Sequence, residues 1–191
     1  MKEQVLKIKN EFDLLRGGHL LYLTENVKMY IENAAAYVLS GVEQGDRVIF
    51  IDNEKMNGLL YIELQRIMSP AQLTKVHYVN NFDFFFSQGS FHTDMINDYF
   101  MKYINPLIEE NESCRTWAHI EWGHHSEIER QIIDHERNSG EKVLDLNLLS
   151  VCAYDTERLS ALVKDKIIHL HETLFYDYGF ADGSPKSVIN E

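Results

Sequence analysis

The sequence predicts a three-layer α/β domain built on a five-stranded, mostly parallel sheet. Three observations carry that expectation. Five short apolar runs recur along the chain, and segments of a dozen or more residues with apolar positions three and four apart separate them. The runs are those of strands covered on both faces, as parallel strands are. The third is size: 191 residues, 45% apolar and 25% charged, suit one domain able to bury a full core.

The elements follow in order. Residues 3–15 place Val5, Leu6, Ile8, Phe12, Leu14 and Leu15 on roughly one helical face, stopped by Gly17 and Gly18. His19 to Leu23 reads as the first strand. Thr24 or Asn26 caps a helix whose Val27, Tyr30, Ile31, Ala34, Ala35, Val38 and Leu39 keep the helical spacing, closed by Gly41 and Gly45. Arg47 to Ile51 is the second strand, followed by a helix over about 54–68. Lys75 to Val79 is the third, leading into an aromatic segment, Phe82 to Phe86, that turns at Gly89. A helix over about 92–110 precedes the fourth strand, which begins at Arg115, and another over 126–138 follows it. Leu148 to Tyr154 is the fifth strand, before a last helix over about 156–174 and a weakly ordered tail over 178–191.

Charge and composition exclude several functions. A net charge of -12 is unsuited to binding nucleic acid, which needs a basic stripe for phosphates, and disfavours anionic membranes. No apolar run approaches the roughly 20 residues of a spanning helix. The N-terminus leads into an amphipathic helix without a signal-peptide core, so Cys114 and Cys152 are expected as reduced thiols in a cytoplasmic protein.

The stretch Arg115-Thr116-Trp117-Ala118-His119-Ile120-Glu121-Trp122-Gly123-His124-His125 holds both tryptophans and starts as a strand. Its end falls where open α/β sheets bind ligands, outside the carboxyl ends of the strands. Tyr22, Thr24 and Glu25 should gather there with Asp52, Glu54, Asn80, Asn81, Glu121, Trp122, Tyr154 and Asp155. Aromatic walls with a few directed polar groups suit a small organic ligand. Asp155 and Glu54 also read as helix-terminus residues. Glu121, flanked by Ile120 and Trp122, is a buried carboxylate needing a partner, with Arg115, His19 and His124 as candidates. Histidines are plentiful here, yet His119, Glu121, His124, His125, His135 and Glu136 form no HExxH or CxxC pair, and no metal or cofactor is expected. Cys152, inside an apolar strand, reads as an inert core thiol. No GxSxG elbow is present, and Tyr22 to Lys28 has no glycine to let backbone amides close around phosphate. Of His169 and His171, two apart on the last helix, one should face solvent while the other reaches the pocket or a neighbouring group.

The order and spacing of six segments resemble the MEDS domain, the sensory domain named for methanogens, methylotrophs and the regulator DcmR. They are Gly18 to Glu25, Arg47 to Asp52, Phe84 to Phe91, Arg115 to Trp122, Val151 to Asp155 and the helix with His171, spanning roughly residues 16–177. The resemblance implies a divergent RecA/KaiC-type fold without its phosphate loop, strand order 5-1-4-3-2, and a single domain over 1–177. It also implies sensing of a small molecule, a simple hydrocarbon derivative, in bacterial or archaeal signalling. The positions matching the family are His19, Tyr22, Glu121, Trp122, Glu136, Cys152, Tyr154, Asp155 and His171.

The reading is therefore a non-catalytic sensor whose ligand contacts His19, Tyr22, Glu25, Glu121, Trp122, Cys152, Tyr154, Asp155 and His171, supported by Arg115, Trp117 and Glu136. With neither a helix-turn-helix nor a kinase segment, its output is expected to pass through a separate signalling protein. The competing class is an interaction module with a degenerate ligand site and a partner or homodimer surface. A metal- or cysteine-dependent enzyme stands third.

Overall fold

The sheet runs β3-β2-β4-β5-β1-β6-β7, with seven strands among the described residues where five are expected. They are β1 (Gly18–Thr24), β2 (Arg47–Asp52), β3 (Val76–Asn80), β4 (Cys114–His119), β5 (Leu149–Asp155), β6 (Thr173–Tyr176) and β7 (Gly179–Phe180). The computed structural model describes residues 3–86, 89–122 and 128–181. Only the β6–β7 pair is antiparallel.

The order corrects the expected 5-1-4-3-2. That order would put the apolar runs of β2 and β5 at the two edges. Instead β3 takes one edge, and its partly exposed Val76, His77 and Tyr78 suit it to that place. β5 lies between β4 and β1, buried from Leu149 to Tyr154. Residues 173–180, expected as helix end and tail, form the β6–β7 hairpin that covers the far edge of β1. The strand-favouring run of Thr173, Leu174, Phe175 and Tyr176 before Gly179 is the local signal for it.

The helices are α1 (Glu3–Phe12), α2 (Val27–Gln44), α3 (Glu54–Ile67), α4 (Pro70–Leu73), α5 (Asn81–Phe85), α6 (Thr93–Glu109), α7 (Ile128–Asp145) and α8 (Ala161–Leu170). The connections β1→β2→β3 run one way along the sheet and place α2, α3 and α4 on one face. Those from β3 to β6 run back, leaving α5 to α8 on the other, as crossovers of one hand require. Strand alternation sends Leu20, Tyr22, Phe50, Trp117 and Val151 to the first face and Leu21, Ile49, Ala118, Cys152 and Tyr154 to the second. The aromatic segment ahead of Gly89, given no element by the sequence, forms helix α5, whose Phe84 and Phe85 are buried in the second core. Its N-cap is Asn80, which accepts from the amides of Phe82 and Asp83. No helix among the described residues is long and apolar enough to cross a membrane.

Gly41 does not end α2; it lies inside it, and Gly45 caps it at φ 100. The absence of a side chain at Gly41 makes room for Arg115: a Cβ there would stand 2.7 Å from Arg115 Cδ. Arg115 cannot readily move, being buried, bonded through Nε to Asp46 at 2.7 Å and stacked over Tyr37. Gly41→Ala is therefore expected to lower stability by about 1–3 kcal/mol through overpacking. In urea unfolding the midpoint should fall at unchanged slope; an unchanged midpoint would show that Arg115 yields.

Candidate functional site

Three polar groupings come out of this packing, and the expected site residues divide among them.

The first lies at the carboxyl edge beside α2. Trp117, fully buried among Tyr22, Tyr30 and Tyr37, donates from Nε1 to Tyr30 Oη at 2.8 Å. Tyr30 donates in turn to Asp52 Oδ2. Asp52 Oδ1 accepts from His119 Nδ1 at 2.8 Å and from the Asn53 amide at 2.8 Å. Glu121 is next to this chain: Oε2 accepts from Asn53 at 2.7 Å and Asn81 at 2.9 Å, and Oε1 from Arg158 at 3.2 Å. The expected partners of Glu121 are therefore replaced. Arg115 sits at the opposite end of β4, bonded to Asp46, and His19 lies beside Glu136 and Cys152. His124, the third candidate, is outside the described residues. Burial would raise the Glu121 carboxyl, but His119, the two amides and Arg158 hold it below the usual range. Burial would likewise lower His119, yet its bond to Asp52 and the nearby Glu121 and Asp155 raise it. Every oxygen of Asp52 and Glu121 is thus engaged, although with His119 they stand close enough to hold a cation.

The second grouping closes the turn between β1 and α2. Asp177, in the loop of the β6–β7 hairpin, accepts on Oδ1 from Tyr22 at 2.6 Å and Thr24 at 2.8 Å, and on Oδ2 from the Glu25 amide at 3.0 Å. Asn33 bonds both Tyr22 Oη and the Asp177 carbonyl. The next amides, of Lys28 and Met29, are capped by Asn26. A carboxylate of the chain itself therefore sits where a phosphate would meet the amides ahead of a helix. Burial and Asp177 push the Tyr22 phenol up.

The third lies under the other face, between β1, β5, α7 and the end of α8. His19, Glu136, Cys152 and His171 are all buried, and one ligand atom from each falls within 4.8 Å of the others. Tyr154 donates to Glu136 Oε1. His19 Nε2 lies 3.3 Å from Cys152 Sγ and 3.4 Å from Glu136 Oε2, and His171 Nε2 lies 3.2 Å from that same oxygen. Gly140, one turn beyond Glu136, leaves room for His19: a Cβ there would stand 3.0 Å from its Nδ1. Burial and Glu136 raise both the Cys152 thiol and the Tyr154 phenol well above their ordinary values. His169 is exposed, so His171 is the one turned inward.

Tyr22 and Tyr154 thus lie on opposite faces, and Trp117 is apart from Trp122. Trp122 packs edge-on to Tyr154 at 6.0 Å, with Arg158 above it. Glu25 is exposed, and Asp155 caps the short 3-10 turn Thr156–Arg158. Sequence reasoning misses Tyr30, Asn33, Arg158 and Asp177 as members of these groupings. Asp177 has a signal, the hairpin pattern around it; the others are ordinary helix and turn residues until the fold juxtaposes them.

A model of the MEDS family, the methanogen/methylotroph, DcmR sensory domain, matches residues 18–172. The chain belongs to that family. The MEDS match covers all three groupings except Asp177. The flagellar accessory protein FlaH from Methanocaldococcus jannaschii is similar in structure, with a TM-score of 0.55 and 11% identity, over 84% of this chain and 71% of that one. A second solved structure, of an ATPase domain, is similar at a TM-score of 0.53 and 8% identity, over 84% of this chain and 69% of that one. These likenesses show a RecA-like fold. A search of curated proteins gives no match.

Because its folded pKa is raised above the ordinary 6.5, His119 contributes stability that is complete below that value and lost as pH rises through the folded pKa. NMR titration should place the His119 imidazole above 6.5. Asp52→Asn should lower it and cost about 3 kcal/mol in acid, with a smaller loss at alkaline pH. An unshifted imidazole would contradict the pairing.

Proposed function

We propose that this MEDS domain is a non-catalytic sensor of a small, mostly apolar molecule, bound beneath the sheet on the α5–α8 face. The observation that carries the reading is a cavity of about 40 Å³ lined by Ile51, Phe84, Phe85, Ala118, Ile120 and Cys152, among others. At roughly 10–15 Å³ per water-sized occupant, it admits a molecule of about three heavy atoms. Its walls are mostly aromatic and aliphatic, with half-buried Asn97, Ser139 and Lys142 and buried Thr116, His135 and Ser150 as polar groups. This suits a simple hydrocarbon derivative better than a nucleotide. The β1–α2 turn supports the same reading, because Asp177 and Asn26 already engage amides that a phosphate would need.

A ligand filling the cavity would press on α6 and α7 and shift the domain between two states read by a separate signalling protein. A second reading, an interaction module, draws on Leu59, Tyr61 and Ile62, exposed on α3 beside the edge strand β3.

Methyl NMR of Ile51, Ile96 and Ile120 during titration with one- and two-carbon halides, alcohols and thiols is the test. At least one compound should shift these signals saturably, and Ala118→Leu, which fills the space, should weaken binding at least tenfold while the protein stays folded. A set of compounds that leaves all three methyls unmoved, or binding indifferent to Ala118→Leu, would overturn the assignment.

A further inference from the structure

The His19, Glu136, Cys152 and His171 cluster brings four ligand-type atoms within 4.8 Å of one another, and Glu136 Oε2 and His171 Nε2 are buried there without a hydrogen bond. His171 Nδ1 lies 2.7 Å from the Ile167 carbonyl, which only accepts, so Nδ1 carries the proton. His171 Nε2 then faces Glu136 Oε2 at 3.2 Å. Both atoms are buried, and neither has a hydrogen-bond partner among the described residues. The other Glu136 oxygen is held by Tyr154. Such outer bonds, a carbonyl on the far nitrogen of a histidine and a phenol on the far oxygen of a carboxylate, are those that orient metal ligands.

The spacing points the same way. In a tetrahedral site with metal–nitrogen and metal–oxygen bonds of about 2.0–2.1 Å, neighbouring donors stand about 3.3–3.4 Å apart, and a sulfur donor about 3.5 Å from the others. Three of the six separations here are near these values, 3.2 Å from His171 to Glu136, 3.4 Å from His19 to Glu136 and 3.3 Å from His19 to Cys152, and all six are within 4.8 Å.

We propose that His19 Nε2, His171 Nε2, Glu136 Oε2 and Cys152 Sγ form a buried tetrahedral site for a divalent cation of the zinc type. Two imidazoles, a thiolate and a carboxylate are the nitrogen, sulfur and oxygen donors such an ion takes. On binding, the Cys152 thiol releases its proton to solvent and the sulfur lone pair forms the metal bond. One thiolate and one carboxylate then balance the two positive charges, so the closed site is neutral within the core. The full set of protein donors leaves no open position, which makes the site structural. Cys152 also borders the cavity, but the metal site does not depend on a ligand there.

The test is Co(II) and Zn(II) binding to the whole chain, stripped with chelator and shown to be folded by far-UV circular dichroism. One equivalent of Co(II) should give the intense visible bands of tetrahedral cobalt and a near-ultraviolet thiolate charge-transfer band. Zn(II) should displace it one for one and raise the melting temperature. Cys152→Ser should abolish the charge-transfer band, and Cys114→Ser should leave it intact. Folded wild-type protein that takes up no stoichiometric metal, weak octahedral spectra, or a charge-transfer band that follows Cys114 would each overturn the proposal. The wild-type stoichiometry and spectrum decide the matter even if Cys152→Ser does not fold.

Discussion

The pairing of β1 with β5 is the constraint on which the rest depends. The two strands are in parallel register from Gly18↔Leu149 to Thr24↔Asp155, and neighbouring residues on each face opposite ways. A slip of one residue would exchange the faces of one strand against the other. Tyr22 would lose the aromatic core around Trp117, and His19 would leave Cys152 and Glu136. The hairpin β6–β7 seals the other edge of β1, so both edges of that strand are hydrogen-bonded.

From this alternation follow two interiors of different chemistry. On the α2 face the polar groups form hydrogen-bonded chains: Trp117 to Tyr30 to Asp52 to His119, and Glu121 with its amides and Arg158. Such networks fix a structure when each member is satisfied. On the α7 face, two imidazoles, a carboxylate and a thiol converge, and the adjoining cavity is mostly apolar. The apolar-walled cavity lies on that second face, which favours it as the one that receives something.

The strands and most helices are legible in the sequence because apolar runs and helical spacing report burial directly. The strand order is not, although His77 in the third strand marks an edge, since pairing depends on long-range packing. The single carboxyl-edge site expected from Tyr22, Glu121, Trp122 and Tyr154 divides in two because side-chain direction alternates within each strand: Tyr22 lies between Leu21 and Leu23, which face the other core. Glu136 and His171 are far in sequence from His19 and join it only through the packing of α7 and α8 under β1. Asp177 goes unremarked because a two-residue hairpin turn is a weaker signal than a helical repeat.

The most direct test of the central claim, that the receptive space lies beneath β4 and β5 on the α5–α8 face, is a crystal structure under xenon pressure. Xenon seeks small apolar cavities without needing specific polar contacts. The account predicts an atom against Phe85, Ala118 and Cys152. Xenon absent there, or found instead between Tyr22 and Trp117, would contradict it.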